Sequence, residues 1–128
     1  ARYLRPIVRN YEIEPFRTVM VLVDAGRLMA QSAGAGTKLD HAIDAALMVA
    51  GVALDGGDRC GALVFDHQLR AYLPPRGGLS QLRAVVETVF DVKPTYAESH
   101  FQRAFVQLQT RLRKRSLIVI LGDVTDVD

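Results

Sequence analysis

Three stretches of this chain are apolar at almost every position but are short for helices. They are residues 18–23 (TVMVLV), 59–65 (RCGALVF) and 117–121 (LIVIL). Apolar runs of about four to eight residues are typical of strands that are buried on both faces, as in a parallel sheet. The sequence therefore predicts three buried strands, well separated along the chain.

A fourth stretch alternates apolar and polar positions over residues 69–73 (LRAYL). This period of two predicts a half-exposed strand. The three residues before it, 66–68 (DHQ), are short enough for a tight turn, so we expect a hairpin with the second buried strand. Pro74 and Pro75 follow directly, and we expect them to end the strand at the sheet edge.

Three segments repeat apolar residues every three or four positions, which predicts helices. They are residues 38–54, residues 79–91 and a segment that begins after Ser99. Thr37 with Asp40, and Ser99 with Gln102, have the spacing of a capping box, in which a hydroxyl and the side chain three residues later bond backbone N–H groups. We expect a capping box at the start of both helices.

Strands that alternate with helices predict an α/β fold: a doubly wound, mostly parallel sheet with one antiparallel edge strand. Residues 1–16 are interpreted as a lead-in segment and residues 17–128 as the domain itself. The third buried strand would then lie at a sheet edge, apolar and unpaired, which is an aggregation hazard. We therefore expect the domain to be truncated in its C-terminal half, or a neighbouring molecule, such as a second copy, to cover this edge.

The composition narrows the class of protein. Hydrophobic residues make up 49% of the 128 residues and charged residues 23%, which is typical of a globular domain. The net charge of +2 gives no argument for nucleic acid, and the single cysteine excludes an intramolecular disulfide. No apolar run approaches the length of a membrane span.

Three polar residues are expected to meet at one edge of the predicted sheet. Asp24 directly follows the first buried strand, Asp123 lies just beyond the third, and Ser99 lies at a helix start. Ligands of open α/β sheets bind beyond the carboxyl ends of the strands. These residues are therefore the candidate site.

Several segments of the chain, in the order in which they occur, resemble segments of a known protein family. The segments are VMVLVDAG, TKLDHAIDAA, GGDRCGALVFD, PPRGG, KPTYAESHFQRAF and RKRSLIVILGDVTD. Over nearly the whole chain they resemble the bacterial domain of unknown function 58 family, which has a von Willebrand factor A (vWA) type domain. The resemblance implies a Rossmann-like sheet of the vWA type, here only part of the complete domain.

The resemblance also implies a metal ion dependent adhesion site, with a DxSxS loop after the first strand, a threonine from a later loop and a final aspartate. Asp24 and Asp123 match two of these positions and Ser99 stands in for the threonine, whereas Gly26 and Leu28 replace the two serines. Mg²⁺ prefers about six oxygen ligands, so the site is degenerate. We expect no cofactor, with weak Mg²⁺ binding as the alternative.

A charged side chain is the expected substitute for the ion. We expect Arg27, or His100 when protonated, to neutralise the pair formed by Asp24 and Asp123, since buried charges need partners. Arg27, His100 and Asp126 are the expected partner-binding face of the same edge.

The expected function is a protein-interaction or scaffolding module rather than an enzyme. The resemblance implies a parent protein anchored in the bacterial cytoplasmic membrane, with this domain in the cytoplasm, and a MoxR-type AAA+ ATPase as a partner. The alternative is a Mg²⁺-dependent hydrolase or phosphoryl-transfer enzyme that uses Asp24 and Asp123.

Overall fold

The fold is an α/β domain with one mixed sheet, seen in a computed structural model. The structure describes residues 17–112 and 115–123, so the predicted lead-in segment and Asp126 lie outside the described residues. The strands are β1 (Thr18–Asp24), β2 (Arg59–Phe65), β3 (Leu69–Arg76) and β4 (Leu117–Leu121). The helices are α1 (Lys38–Asp55), α2 (Ser80–Val89) and α3 (Phe101–Gln109), with a 3₁₀ turn at Arg27–Ala30.

The described strands lie in the order β3-β2-β1-β4. β1 is parallel to both β2 and β4, whereas β3 is antiparallel to β2. The predicted mostly parallel sheet with one antiparallel edge strand is thus confirmed. From β1 the chain continues to β2 and β3 on one side of β1, and it then reaches β4 on the other side. The order of the strands therefore reverses between β1 and β4, and such a switch point opens a crevice at the carboxyl ends of the strands.

Helices cover both faces of the sheet because the apolar strands have two buried faces. One face of β1, with Val19, Val21 and Val23, packs in one core cluster with residues of α1 and α2. The other face, with Met20 and Leu22, packs against Ala104 and Leu108 of α3. Because β1 is buried on both faces, it holds the residues at its carboxyl end in a fixed position.

Two predicted boundaries need correction. β3 runs through the two prolines to Arg76, which is possible because an edge strand pairs on one side only and a register shift separates Cys60 from Ala62. α2 is shorter than the predicted range of residues 79–91, and Phe90, which lies just beyond its end, is 72% exposed.

β4 lies at the sheet edge as predicted. Within the described residues β1 is its strand neighbour, and Leu117 and Ile120 are 49% and 39% exposed. A strand with no partner on its outer side leaves apolar surface in water.

Candidate functional site at the carboxyl edge of the sheet

The backbone after β4 closes over the carboxylate of Asp24. Val23 is paired with Leu121, so the next residue of each strand, Asp24 and Gly122, lie side by side. A Cβ atom at Gly122 would stand 2.9 Å from the Cβ and 3.1 Å from Oδ2 of Asp24. Asp24 is only 2% exposed. The first predicted site residue is therefore enclosed by the edge of the sheet.

Two donors hold the other oxygen of Asp24. Oδ1 accepts the backbone N–H of Gly26 at 2.8 Å and the hydroxyl of Ser99. Burial raises the pKa of Asp24; these two hydrogen bonds act in the opposite direction, and the nearby Asp123 and Asp66 raise it further. No salt bridge to Asp24 occurs among the described residues, so hydrogen bonds stabilise this carboxylate.

Gly26 is required by the close approach of Ser99. A Cβ atom at this position would overlap Ser99 Oγ and would lie 3.1 Å from Asp24 Oδ1 and 3.2 Å from the carbonyl oxygen of Ala97. The place that a side chain would take is thus filled by the Ser99 hydroxyl.

The predicted capping box at Ser99 is wrong. His100 is the N-cap of α3 and no side chain bonds the helix start, because the Ser99 hydroxyl donates to Asp24 instead. The box predicted at Thr37 and Asp40 is confirmed, with both reciprocal bonds present. Ser99 therefore belongs to the candidate site and not to the helix cap.

Asp66, which follows β2, is a third carboxylate at this edge and was not among the predicted site residues. Its side chain is fully buried, and Oδ2 accepts from Arg70 Nε at 2.8 Å, Arg70 Nη2 at 2.6 Å and Thr95 Oγ1 at 2.7 Å. Burial alone would raise its pKa, but the bonds from Arg70, Thr95 and the Gln68 N–H outweigh this and lower the pKa to about 2. The same rule that selects Asp24 and Asp123, the first acid after a buried strand, could have found it.

The loop over residues 95–100 is fixed to the strand ends by backbone bonds. Thr95 N–H donates to the carbonyl of Ala25 at 2.9 Å, Arg27 N–H to that of Ala97 at 2.8 Å, and His100 N–H to that of Asp66 at 2.9 Å. These bonds hold Ser99 at Asp24, 75 positions away in the chain.

Asp123 pairs with a cation that the sequence reasoning missed. Lys38 Nζ, in the first turn of α1, lies 2.5 Å from Asp123 Oδ2 and 2.7 Å from Gln31 Oε1. The Asp123 side chain is 13% exposed and that of Lys38 is 32% exposed. A possible signal was the position of Lys38 itself, since a cation at a helix N-terminus is unfavourable unless something compensates for it.

The predicted role of Arg27 as the cation of the Asp24 and Asp123 pair is wrong. Its guanidinium points to Glu98, with Nη2 3.8 Å from Oε2, and both side chains are more than half exposed. His100 is exposed at the start of α3. Both residues do lie on the surface beside the candidate site, and Asp126 lies outside the described residues.

An open cleft lies next to this cluster, between the start of α1 and the end of β4. It has a volume of about 450 Å³ and is lined by polar Lys38, His41 and Asp123 together with apolar residues such as Met29 and Ile120. A cleft with a few polar groups on an apolar lining is the usual form of a recognition site.

The residues present do not fit the metal site that the resemblance implies. Asp24 Oδ1 already accepts two hydrogen bonds, Asp123 Oδ2 is paired with Lys38, and Leu28 has no oxygen to offer. Among the described residues there is no group of three His, Cys, Asp or Glu side chains arranged to hold an ion.

These observations define an α/β domain with a buried polar cluster at the switch point of a mixed sheet. The chain belongs to the family described as protein of unknown function DUF58, whose match covers residues 1–128. A comparison with curated proteins found no match. Within residues 17–112 and 115–123, no helix has both the length and the hydrophobicity to cross a membrane.

Proposed function

We propose that this chain is a protein-interaction or scaffolding module of the vWA type, which binds a protein partner with the carboxyl edge of its sheet. The order of the sheet and the meeting of Asp24, Ser99 and Asp123 at one edge support the vWA assignment. Family membership supports an uncharacterised domain. Its place in a larger protein is proposed from the family resemblance alone.

The observation that carries the proposal is an exposed recognition surface on a rigid support. Arg27, Tyr96, Glu98 and His100 are exposed, and Tyr96 is 97% exposed. The backbone of their loops is nevertheless bonded to the ends of β1 and β2. Exposed aromatic and arginine side chains on a fixed loop are the residues that most often contribute strongly to protein binding.

The proposed partner is a MoxR-type AAA+ ATPase, and the proposed setting is the cytoplasmic side of a membrane-anchored parent protein. Both come from the family resemblance. Self-association through the edge of β4 is a further possibility that the exposed Leu117 and Ile120 support.

The test is binding of a purified MoxR-type ATPase to the chain and its variants. Arg27→Ala and Tyr96→Ala should each weaken binding at least about tenfold, as expected for hot-spot residues. Arg76→Ala and Phe90→Ala are matched controls, because both side chains are exposed and Arg76 lies at the opposite end of the sheet. Equal affinity of all four variants and the wild type would exclude this surface.

The alternative is a hydrolase or phosphoryl-transfer enzyme, which the raised pKa of the buried Asp24 favours, since perturbed pKa values occur at active sites. The enclosure of this carboxylate argues for the interaction module. One oxygen is bonded to Gly26 and Ser99, and the other is packed against Gly122. Turnover of phosphate esters that disappears in Asp24→Asn would support the enzyme instead.

A further inference from the structure

Lys38 is placed where a helix by itself disfavours a cation. It is the first residue of α1, directly after the N-cap Thr37, and the N-terminus of a helix carries partial positive charge. The capping box fixes this position, and the ammonium group is bonded to Asp123 and Gln31. The unfavourable position is therefore compensated by a carboxylate from the other side of the switch point.

The same carboxylate is one of the ligands that the family resemblance assigns to a divalent ion. Mg²⁺ is usually bound in proteins through one or two carboxylates, with several waters completing its shell. Here the ammonium group of Lys38 lies 2.5 Å from Asp123 Oδ2 and already engages this oxygen. A positive charge is present at this edge, and it is covalently part of the chain.

Asp24 does not need an ion for its own stabilisation. Its Oδ1 accepts the Gly26 N–H and the Ser99 hydroxyl. Asp24 is thus bound by hydrogen bonds, whereas Asp123 is paired with the ammonium group of Lys38.

We propose that Lys38 is a tethered cation that takes the place of the divalent ion at this edge, so that the domain is stable and recognises its partner without metal. The inference deepens the proposed function, because it rests on the same site. Its test contains no partner protein, so either idea can fail without the other.

The test compares thermal unfolding of Lys38→Met, Lys38→Arg and wild type in a chelator and in excess Mg²⁺ or Mn²⁺. Wild type should melt at the same temperature in both conditions. Lys38→Met should melt lower in the chelator and recover on the order of 5 °C with the ions, because Asp123 then has an unpaired carboxylate that an ion can neutralise, with waters completing the shell of the ion. Lys38→Arg keeps the charge and should remain insensitive to metal.

Lys93→Met is the matched control, since Lys93 is an exposed lysine outside the site and its loss should change neither the melting temperature nor the metal response. Stabilisation of the wild type by Mg²⁺ or Mn²⁺ would overturn the proposal. So would a Lys38→Met variant that melts at the same temperature with and without the ions.

Discussion

The buried carboxylate of Asp66 should contribute a measurable part of the stability of this domain. Asp66→Asn keeps the shape of the side chain but removes its charge and one acceptor oxygen. Oδ2 accepts from Arg70 and Thr95 and Oδ1 accepts from the Gln68 N–H. Whichever way the new amide turns, its NH₂ group faces a donor, and an unsatisfied buried donor is costly.

The pKa of Asp66 gives the magnitude. It is about 2 in the folded chain, against an ordinary value of 3.8. A difference of about 1.8 in pKa corresponds to about 2.4 kcal/mol at neutral pH. Breaking a buried ion pair costs about 3–5 kcal/mol, but the Arg70 side chain is 38% exposed, which lowers that figure. Both routes give a loss of about 2–3 kcal/mol for Asp66→Asn.

The pH dependence follows from the direction of this difference. Because the pKa of Asp66 is lower in the folded chain than in the unfolded chain, the stabilisation is present above the unfolded value of 3.8 and is lost as the pH falls through about 2. At about pH 3 roughly half of it should remain. The free-energy difference between wild type and Asp66→Asn should therefore shrink between neutral pH and about pH 3.

Urea unfolding at both pH values measures this difference, with midpoints and slopes compared between the proteins. Asp44→Asn is the matched control, because Asp44 is exposed on α1 and its loss should change stability by less than about 0.5 kcal/mol. If Asp66→Asn costs no more than the control, or if its cost is the same at both pH values, the assigned role of the Asp66 charge is incorrect.

Three further predictions concern positions with one dominant contact each. Thr37→Ala should lower the free energy of unfolding by about 1 kcal/mol in urea, because it removes the bond to the Asp40 N–H; Thr37→Ser should not, and an equal loss in both would contradict the cap. Gly26→Ala should cost about 1–3 kcal/mol through overlap with Ser99, and less in a Ser99→Gly background; additive costs would disprove the close contact. Cys60 is fully buried and its pKa is raised to about 11 by burial, so a thiol reagent should label it only at the rate of unfolding, and rapid labelling of the native chain would exclude this burial.

The sheet was predictable because the pattern that indicates a strand lies within the strand itself. A strand buried on both faces needs apolar residues at nearly every position, and β1 and β2 have them and are buried. β4 has the same pattern but no fully buried residue, because it lies at the sheet edge, so the prediction of a buried strand is wrong there. The start of α1 was also predictable, since its capping box involves Thr37 and Asp40 alone. The meeting of Asp24 and Asp123 at one edge was predictable from the general rule for parallel sheets, because Asp24 ends β1 and Asp123 lies just beyond the adjacent β4.

The contacts of the site were less predictable because they join distant segments. Ser99 has the same local pattern as Thr37, yet a buried acceptor 75 positions away takes its hydroxyl. The sequence-based hypothesis names Arg27, or His100 when protonated, as the cation, because arginine carries a fixed positive charge with several donors. The structure instead brings in Lys38, which lies 85 positions from Asp123. Spacing along the chain does not reveal which of several nearby charges reaches a given carboxylate.

Three aspartates at the carboxyl edge would repel one another if all were left charged and unpaired, and the structure gives each a different solution. Asp66 keeps its charge through Arg70 and Thr95, as its pKa of about 2 indicates. Asp123 is paired with Lys38. Asp24 is buried and depends on hydrogen bonds, and its raised pKa shows that its charge is the least stabilised relative to water. A single shared ion would couple these groups, whereas separate partners fix the edge as a permanent surface on which the exposed loop of Tyr96 is held.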